Sequence, residues 1–441
     1  MRNFGWSKLK IIFAAQKTLL LAVITISTLF PLVFVKLQEP TFTLVIFKLL
    51  AKAGSLCGAT LLVWQFLLGF RDVAGKFIRD FLWVLEIHKK IGQYILLLIV
   101  MHPVFITLYY IEKEKINPLI LQGQSPFKWW VLAGEIAFAV FLIVVLTSIF
   151  WRQKMGRTKW YTVHITSYFA LAIVIVHAFA IGTTINKTRA FYYWIILTII
   201  AAGFLLYRLL CGVGFFVKKH RVVSVEKVGP DVTRISCQPL GRKIVPHLGQ
   251  FIYFRRGLKD SMRPFTVSHY QPQTGEFSIT VKSAGRTTQN LQWIKPDEIV
   301  YIDGPYGIFS QTALESHRPI VMIAGGIGIT AFTRLFEELA YEPDMEIHLF
   351  YGNQKKHEIV YKQELENVEN VNVIHVLSDE PQYSGETGFI TTDLLRKYLK
   401  KSLVNYEFLI CGPPAMTEKL ESALLSENVP DTQIHHELFD Y

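Results

Sequence analysis

The stretch LEIHKKIGQYILLLIVMHPVF, which covers residues 85–105, is apolar enough to cross a lipid bilayer and yet contains two histidines, His88 and His102. A second apolar stretch, WYTVHITSYFALAIVIVHAFAIG, also contains two, His164 and His177. An imidazole in hydrocarbon is costly unless it finds a partner, and ionisable residues inside membrane segments are therefore rare and usually functional. These two segments predict both the membrane architecture of the chain and its first candidate site.

The composition separates an apolar, basic half from a more polar, slightly acidic half. The chain has 441 residues, of which 51% are hydrophobic, with a mean hydropathy of +0.31 and a formal net charge of +11. Residues 1–220 contain 24 Lys and Arg against 7 Asp and Glu, a net +17, and the remainder contains 22 against 28, a net −6. Because the positive charge flanks apolar runs, it indicates a lipid membrane as partner and no nucleic acid.

Six apolar runs reach the length of about 20 residues that a helix needs to cross a bilayer. They cover residues 11–35, 42–70, 85–111, 129–151, 160–181 and 191–211. The second run is the least regular because it contains Lys48 and Lys52. Lysine and arginine concentrate on one side of the runs, at the amino terminus and in RDVAGKFIRD, WRQKMGRTK and VKKHR. The positive-inside rule then predicts a multi-pass protein of the plasma (inner) membrane, with its amino terminus and its carboxyl-terminal half in the cytoplasm.

Three interpretations of the four intramembrane histidines are open. They can form hydrogen bonds between helices, they can relay protons, or they can bind haem iron as pairs of neutral imidazoles. Proton relays usually recruit Asp or Glu, and these two segments have no carboxylate beyond Glu86. Iron–sulfur clusters are not indicated, because the four cysteines form no C-x-x-C pair.

The spacing of the histidines favours two haems, one above the other. A step of 14 residues in the first segment and 13 in the second corresponds to about 21 Å and about 20 Å along a helix. The prediction is an inner haem between His88 and His164 and an outer haem between His102 and His177. The 13-residue step turns its two side chains about 140° apart around an ideal helix, and local unwinding, helix crossing or a tilted ring would have to absorb this mismatch.

The second half of the chain changes pattern twice. Short alternating runs such as RVVSVEKV and FSITVKS predict a small antiparallel barrel. From Arg318 onward, apolar strands alternate with helical stretches, which predicts a parallel α/β sheet. The predicted fold is a six-span α-helical membrane bundle followed by a cytoplasmic antiparallel β-barrel domain and an α/β domain. Their predicted limits are 1–217, 218–316 and 317–441.

RPFTVS, at residues 263–268, lies at the end of a predicted barrel strand and offers the groups that a flavin needs. Phe265 can lie against the ring, Thr266 can place a hydroxyl near N5, and Arg263 can bind the pyrophosphate. Proline-containing strand ends are common, so the motif alone is weak. VKSAGRTTQNL adds Lys282 and a predicted helix start at Thr287 and Thr288, where free N–H groups favour a phosphate, although an ordinary turn with an N-cap explains it as well.

The α/β region contains a glycine-rich turn that can receive a dinucleotide. In VMIAGGIGIT a strand runs into three glycines, and Thr330 is predicted to open a helix. Small residues there allow a pyrophosphate to approach the backbone and the helix amino terminus, although such a turn can also be purely structural. FLICGPPAM places Cys411 at the carboxyl end of another strand, the edge where open α/β sheets bind ligands, and a packed thiol is the alternative.

Taken in order, RPFT-x-S, G-x-T-T, GPYG, AGGIGIT and CGPPAM resemble the flavin- and pyridine-nucleotide-binding module of the ferredoxin–NADP reductase superfamily. Joined to six spans with the histidine quartet, the chain resembles the NADPH oxidase and ferric reductase family. The resemblance implies that the β-barrel is an FAD-binding domain and that the α/β domain binds nucleotide, with NADPH or NADH as electron donor. It also implies two b-type haems bound by the four histidines. The cofactor-binding residues that we predict are Arg263, Pro264, Phe265, Thr266, Ser268, Lys282, Thr287, Thr288, Gly325, Gly326, Gly328, Thr330, Gln354, Lys355, Cys411, Gly412 and Pro413.

The family also implies an aromatic residue near the carboxyl terminus that covers the flavin ring. HHELFDY offers Tyr441 or Phe439, and Tyr441 is preferred, so that Thr266, Cys411 and Tyr441 are the candidate catalytic residues. Where the family often has an arginine for the 2′-phosphate of NADPH, this chain has Gln354, and Lys355 or Lys356 remains as a point charge. The sequence therefore favours NADPH over NADH only slightly.

The predicted function is an NAD(P)H oxidase that moves electrons through FAD and the haems to an acceptor outside the cytoplasm, with oxygen giving superoxide as the first choice. Ferric chelates are the alternative acceptor. An electron-relay subunit that feeds an extracytoplasmic partner protein is a rival of another class, although no obligatory partner is indicated. A transporter with a regulatory nucleotide domain is a further rival, and it predicts no haem.

Overall fold

The computed structural model describes residues 6–70, 78, 80–120, 127–258, 260–314, 316, 318–339, 345–368 and 370–437. The chain divides into two compact units. One consists of residues 11–209, and the other is built from Leu210 onward together with the start of the first helix up to Lys10.

The amino-terminal half of the described chain is helical. Its α-helices are α1 (Trp6–Leu29), α2 (Phe42–Lys52), α3 (Gly58–Gly69), α4 (Phe81–Glu114), α5 (Lys128–Leu146), α6 (Arg152–Met155), α7 (Arg157–Ile181), α8 (Thr183–Lys187) and α9 (Ala190–Gly212). A 3₁₀ turn, Phe30–Phe34, extends α1, and π-helical turns extend α2 and α5 at Ala53–Cys57 and Thr147–Trp151. Six helical segments are long and apolar enough to cross a membrane, namely Ala15–Phe34, Phe42–Gly69, Trp83–Glu114, Lys128–Met155, Lys159–Ile181 and Ala190–Gly212. The six predicted runs are therefore confirmed to within a few residues.

The two lysines that made the second run irregular both have polar partners. Lys48 Nζ lies 2.6 Å from Glu39 Oε1, and Lys52 Nζ donates a hydrogen bond of 2.8 Å to Thr183 Oγ1. Glu39 also accepts hydrogen bonds from Lys113 Nζ at 2.9 Å and from the Tyr109 hydroxyl at 2.8 Å. A carboxylate shared in this way compensates the positive charge, which explains how a helix with two lysines belongs to the bundle.

Six strands close into a barrel in the order β1-β2-β5-β4-β3-β6. They are β1 (Lys218–Gly229), β2 (Val232–Pro239), β3 (Phe251–Arg255), β4 (Arg263–Gln271), β5 (Glu276–Lys282) and β6 (Ile299–Tyr306), with the short helix α10 (Arg286–Leu291) between the last two. All neighbours in the barrel are antiparallel. Alternate residues such as Val222, Ile235 and Ile279 are fully buried, so that the inward face forms one apolar core, as the alternating pattern predicts.

The remaining strands form a six-stranded sheet in the order β10-β9-β8-β7-β11-β12, and every pairing in it is parallel. Its elements are α11 (Gln311–Leu314), β7 (Ile320–Gly325), α12 (Thr333–Leu339), β8 (Ile347–Asn353), α13 (Lys362–Glu366), β9 (Val371–Leu377), β10 (Glu386–Thr387), α14 (Thr392–Tyr398), β11 (Glu407–Cys411), α15 (Pro414–Ser426) and β12 (Ile434–Glu437). Strand order reverses between β7 and β11, and this is the position where open α/β sheets bind ligands. The predicted fold class is confirmed in all three parts.

Candidate functional site

All four intramembrane histidines use the Nδ1 atom for a hydrogen bond to a neighbouring span. Nδ1 of His88 lies 3.1 Å from the carbonyl oxygen of Gln65, and Nδ1 of His102 lies 3.1 Å from that of Ala51. Both partners belong to the second span. Nδ1 of His177 lies 2.7 Å from the carbonyl oxygen of Trp130 in the fourth span. The fourth histidine, His164, has its Nδ1 3.3 Å from the Ser148 hydroxyl, also in the fourth span.

These partners fix which ring nitrogen of each histidine carries the proton. A carbonyl oxygen can only accept, so Nδ1 of His88, His102 and His177 must be the N–H donor. The Ser148 hydroxyl donates to the carbonyl oxygen of Val144 at 2.7 Å, and it therefore accepts from His164. In each neutral imidazole the lone pair is then on Nε2. Within the part of the chain that the structure describes, no residue forms a hydrogen bond with any of these Nε2 atoms.

Irregular turns and glycines adapt the two supporting spans to the histidines. The π-helical turn Ala53–Cys57 follows Ala51, and the turn Thr147–Trp151 contains Ser148. Such turns displace backbone and side-chain groups from the regular helical pattern and are frequent at functional sites. A Cβ atom on Gly134 would lie 2.6 Å from the His177 ring, and one on Gly54 would lie 2.7 Å from the backbone nitrogen of His102. These two positions therefore require glycine.

The inner histidines have the separation that a bis-histidine haem needs. Two iron–nitrogen bonds of about 2 Å, with each ring centre about 1 Å behind its nitrogen, place the ring centres about 6 Å apart. The ring centres of His88 and His164 are 6.2 Å apart, and the Trp160 ring lies 4.9 Å from that of His164. Tautomer and distance together fit a metal between the two rings. The predicted outer ligands, His102 and His177, have the same tautomer, which fits the same role.

The 13-residue step in the second histidine segment is not absorbed by unwinding. Helix α7 is continuously α-helical from Arg157 to Ile181. Both of its histidines find their Nδ1 partner on one neighbouring span, at Ser148 and at Trp130. Helix crossing and a tilted ring are therefore the two explanations that remain for the pairing of side chains that leave α7 in different directions.

RPFTVS was predicted to end a barrel strand, but it forms the first part of β4 (Arg263–Gln271) because its backbone pairs with β3, with Phe251 opposite Thr266. Thr266 is 3% exposed, and its Oγ1 is a buried oxygen without a hydrogen-bond partner among the described residues. A buried hydroxyl costs free energy unless it is satisfied, and it therefore points to a ligand. This is the observation that fits a flavin at the predicted position. Arg263, Pro264 and Phe265 lie half-buried beside it on the same strand.

Other predicted flavin residues are engaged within the protein. The Ser268 hydroxyl donates to the carbonyl oxygen of Ser278 at 3.1 Å. Lys282 Nζ lies 3.4 Å from Glu358 Oε2. The predicted helix start at Thr287 and Thr288 is confirmed, because α10 begins at Arg286. Thr288 is part of the turn itself, since its Oγ1 accepts from the N–H groups of Ala284 and Gly285 at 2.9 and 3.0 Å.

The glycine turn and the CGPPAM turn pack directly on each other. A Cβ atom on Gly328 would lie 2.1 Å from the carbonyl oxygen of Cys411, and one on Gly325 would lie 2.8 Å from Pro413 Cδ. Strands β7 and β11 are adjacent, so both turns leave the same carboxyl edge of the sheet. The structure thus brings together Gly325, Gly326, Gly328, Cys411, Gly412 and Pro413 where strand order reverses. Burial raises the pKa of the Cys411 thiol well above its ordinary range, so this thiol stays neutral.

One local prediction in this turn is corrected. Gly326–Ala331 forms a 3₁₀ helix, and the α-helix opens at Thr333 instead of Thr330. The Thr330 hydroxyl donates to the carbonyl oxygen of Ile327 at 3.0 Å. The close approach of Gly328 to Cys411 holds the chain in this tighter turn.

Gln354 and Lys355 follow β8 at the same edge of the sheet, and both are exposed. The segment that follows β9 contacts this loop through one backbone group and one carboxylate. Asp379 N donates to the carbonyl oxygen of Gln354 at 2.9 Å, and Glu380 Oε1 accepts from the backbone N–H of Lys356 at 3.1 Å. The candidate aromatic residues Tyr441 and Phe439 lie outside the described residues.

The sequence alone did not identify Ser148 or the glycines of the spans as parts of the site. A hydroxyl at the end of an apolar run was one available signal, and small residues at helix–helix contacts were another. The backbone acceptors at Ala51, Gln65 and Trp130 had no signal, because every residue has a carbonyl group.

Three family models match successive parts of the chain. Residues 54–176 match the ferric reductase like transmembrane component, residues 219–310 the oxidoreductase FAD-binding domain, and residues 322–422 the oxidoreductase NAD-binding domain. The first of these ranges contains His88, His102 and His164 and ends one residue before His177.

Curated relatives match the chain in part. NADH-cytochrome b5 reductase 1 of Lodderomyces elongisporus is 28% identical over 178 residues, which are 38% of this chain and 59% of that protein. The enzyme of the same name from Aspergillus clavatus is 26% identical over 271 residues, 55% of this chain and 86% of that protein. Among solved structures, the ferredoxin reductase in carbazole 1,9a-dioxygenase is similar at 23% identity and a TM-score of 0.46, covering 51% of this chain and 69% of that one.

The three matched domains occur in the order that the motifs predicted, and they supply FAD and NAD(P)H binding to a multi-pass membrane protein. The chain therefore combines a ferric reductase like transmembrane component with FAD-binding and NAD-binding oxidoreductase domains, and this combination matches the ferric reductase and NADPH oxidase family with a ferredoxin–NADP reductase-type module.

Proposed function

We propose that this protein is a transmembrane flavocytochrome b that moves electrons from cytoplasmic NAD(P)H through FAD and two b-type haems to an acceptor on the other side of the membrane. The observation that carries the proposal is the common tautomer of the four histidines, since each keeps its Nε2 lone pair available. Hydrogen bonding between helices and proton relay do not require this uniformity. Metal-binding histidines usually donate their other N–H to an oxygen in this way.

In the proposed arrangement His88 and His164 bind the inner haem, and His102 and His177 bind the outer haem. Bound FAD would accept a hydride and release single electrons, which the haem irons would carry across the membrane. Hydrogen bonds to Nδ1 hold each imidazole ring in place. The second span provides them for His88 and His102, and the fourth span provides them for His164 and His177. Rigid ligands reduce the reorganisation that electron transfer requires.

At the flavin, we assign the buried Thr266 hydroxyl to a hydrogen bond with the ring and Arg263 to the pyrophosphate. Phe265 would lie against the ring, and Tyr441 would cover its other face. Pro264 and Ser268 shape the strand, and we assign Lys282, Thr287 and Thr288 to the FAD phosphates, as the family resemblance implies. Thr266 orients the ring without exchanging a proton, because its hydroxyl is not acidic enough for general acid–base work at neutral pH.

At the nucleotide, we assign the nicotinamide end to the two packed turns where strand order reverses. Gly325, Gly326 and Gly328 leave the backbone open to a pyrophosphate, and Thr330 stabilises the turn. Cys411, Gly412 and Pro413 form the opposing wall. A neutral buried thiol at this position excludes water and adds no charge beside a hydride donor.

The proposed orientation places the amino terminus and both nucleotide domains in the cytoplasm at the plasma (inner) membrane. It is supported by the lysines and arginines that flank one side of the spans. The proposed domain limits, 1–217, 218–316 and 317–441, agree with the start of the barrel at Lys218 and the start of the sheet at Ile320.

Oxygen is the proposed acceptor, and superoxide the product. Two histidines on each iron leave no coordination site for oxygen, so transfer would occur at the haem edge. The segment between the fifth and sixth spans is short, with α7 ending at Ile181 and α9 starting at Ala190. A large cap over the outer haem is therefore not expected from this segment, and ferric chelates remain the alternative acceptor.

Stopped-flow mixing of the reduced, purified protein with oxygen or with a ferric chelate tests the acceptor. The oxidase proposal expects haem oxidation by oxygen with formation of superoxide. Fast oxidation by the chelate without superoxide would establish the ferric reductase instead. Slow oxidation by both acceptors, together with a reduced flavin, would favour the electron-relay subunit.

A further inference from the structure

We propose that one end of the FAD barrel lies in the headgroup region of the lipid bilayer, anchored by Trp293. The surface concerned, here called the Trp293 surface, consists of exposed apolar side chains from three segments, namely Val213, Phe215, Leu258, Trp293 and Ile299.

The first segment leaves the last membrane span. Helix α9 ends at Gly212, and two backbone hydrogen bonds close it, from Phe215 N to Leu210 O at 2.9 Å and from Gly214 N to Cys211 O at 3.1 Å. Gly214 has a φ of 86°. This left-handed turn stops the helix sharply, so that Phe215 follows the membrane span by only three residues.

Contacts join this exit to the second and third segments. A Cβ atom on Gly214 would lie 2.5 Å from Leu258 Cδ2, so the exit and Leu258 are in direct contact. Two residues before Leu258, Arg256 binds the Glu298 carboxylate at 2.6 and 2.7 Å and the Asn290 carbonyl oxygen at 3.3 Å. Trp293 lies between Asn290 and Glu298 in the chain. The three segments therefore share one end of the barrel, the end at which the chain enters from the last residues of α9.

The exposed area of this surface is unusual for a soluble domain. Trp293 is 76% exposed, Phe215 72% and Val213 70%. A single exposed apolar side chain needs no explanation, but a cluster of them that includes two large aromatics indicates a partner. Tryptophan in particular favours the membrane–water interface, where its ring is apolar and its N–H remains hydrated.

The charges around the surface favour lipid over a second copy of the chain. Lys219 and Lys295 are exposed and form no ion pair with any described residue. Of the nearby acidic groups, Glu298 binds Arg256, Asp297 lies 4.0 Å from Arg221, and the Asp260 carboxylate accepts from the backbone N–H of Gly257 at 2.7 Å. A basic rim around an apolar surface matches the negative potential of a cytoplasmic leaflet. Two copies that met through this surface would bring the same basic rims together.

This contact would restrict how the barrel moves relative to the membrane. The Trp293 surface includes Leu258, which lies five residues before Arg263 at the start of the proposed flavin strand. Anchoring on both sides, by α9 and by Trp293, leaves the barrel less rotational freedom than the single chain connection alone. The inference concerns lipid contact and does not depend on the acceptor or on the haems.

Spin-label accessibility in the full-length, oxidised protein tests the proposal. A nitroxide is placed at position 293 by Trp293→Cys in a Cys211→Ser background, because the other three cysteines are buried. The protein is inserted into nanodiscs of phosphatidylcholine and phosphatidylglycerol. We expect the ratio of collision rates with oxygen and with a water-soluble nickel complex to be several-fold higher at 293 than at two control labels. Iron near a label changes the relaxation of the nitroxide in both measurements alike, so this effect cancels in the ratio of the two rates.

The control labels are Phe389→Cys in the nucleotide domain and Val245→Cys on the barrel, at positions that are 78% and 66% exposed. Leu258→Cys gives an independent label on the Trp293 surface and is expected to behave as position 293 does. FAD content confirms that each variant folds. Equal ratios at 293, 389 and 245 would overturn the proposal, and so would a 293 label that both reagents fail to reach, because this would indicate a protein interface instead of lipid.

Discussion

Ser148 shows how a single side chain sets the chemistry of a histidine. Its hydroxyl donates to Val144 O and accepts from both Trp160 Nε1 at 3.1 Å and His164 Nδ1 at 3.3 Å, which uses all of its hydrogen-bonding capacity. The lone pair of His164 is therefore directed to Nε2. The other three histidines achieve the same result with backbone carbonyls, which no substitution can remove.

Replacement of Ser148 by alanine should weaken the binding of the inner haem. The loss of a partner behind a metal-binding histidine typically costs about 10- to 100-fold in metal affinity. We expect a reduced ratio of b-type haem to FAD in Ser148→Ala, measured by absorbance. Ser148→Thr, which keeps the hydroxyl, should retain the haem. Full haem content in Ser148→Ala, with the reduced spectrum unchanged, would show that the hydroxyl does not orient His164.

A methyl group at position 134 should displace an outer ligand. In Gly134→Ala the new Cβ would lie 2.6 Å from the His177 ring, closer than carbon atoms can approach. We expect loss of the outer haem while the inner haem and flavin reduction remain. Gly203→Ala is the matched control, because a Cβ atom there meets nothing within 4 Å. Equal haem content in the two variants would contradict the placement of His177.

We propose that the loop after β8 determines the choice of electron donor. The Glu380 carboxylate accepts from the backbone N–H of Lys356, two residues after Gln354, and its negative charge would disfavour a 2′-phosphate bound beside it. Gln354→Arg should raise kcat/KM for NADPH by about tenfold or more, because a charge-assisted hydrogen bond contributes about 1.5–3 kcal/mol. The kcat/KM for NADH should change little. A parallel change for both nucleotides would mean that position 354 is away from the adenosine ribose.

At the scale of elements, Glu39 connects the loop after the first span to α2 and α4. The carboxylate is buried, and burial alone would raise its pKa. Hydrogen bonds from Lys48, Lys113 and Tyr109 outweigh this effect and lower the pKa of Glu39 from an ordinary 4.5 to about 2. A carboxyl whose pKa is lowered by folding stabilises the protein above its unfolded pKa, and this stabilisation disappears as the pH falls through the folded pKa.

Glu39→Gln should therefore lower the thermal unfolding midpoint at neutral pH. The difference from the wild type should shrink as the pH falls from 4.5 toward 2, the window set by the two pKa values. Tryptophan fluorescence in detergent reports the midpoint. Glu112→Gln is the control, since Glu112 is an exposed partner of Lys115 at 3.8 Å and such pairs contribute little. A Glu39 effect that is independent of pH over this window would contradict the ion-pair explanation.

A second connection between elements joins the barrel to the nucleotide domain. Thr333 Oγ1 donates to Ser268 O at 2.9 Å, and Arg334 Nη1 donates to the carbonyl oxygens of Pro246 and His247 at 3.2 and 3.0 Å. Both residues follow the glycine turn directly, and Ser268 follows the proposed flavin residues. The two candidate binding sites are therefore connected through a few hydrogen bonds.

At the scale of the whole molecule, local patterns predicted most of the fold. The length of the apolar runs identified the six spans, the alternation of apolar and polar residues identified the barrel, and the alternation of strands with helices identified the parallel sheet. Each pattern is predictive because it reflects which face of a single helix or strand is buried. The edge that carries Cys411 was also predictable, since parallel strands end on one side of a sheet.

What the sequence could not predict depends on contacts between distant segments. The oxygen atoms of Ala51, Gln65 and Trp130 that fix three histidine tautomers belong to backbone groups, which no motif distinguishes. The 3₁₀ turn at Gly326–Ala331 results from the approach of Gly328 to Cys411, across more than 80 residues of chain. Thr266 was identified from its motif, but its unsatisfied hydroxyl became visible only in the folded barrel.

The reduced-minus-oxidised absorbance spectrum of the purified protein and its His102→Leu variant, with haem and FAD quantified in each sample, tests the central claim most directly. The account predicts b-type bands with two haems per FAD in the wild type. It predicts one haem per FAD in the variant, with flavin reduction by NAD(P)H unchanged. A wild-type spectrum without b-type bands, or a variant that keeps both haems, would contradict the assignment of the four histidines as haem ligands.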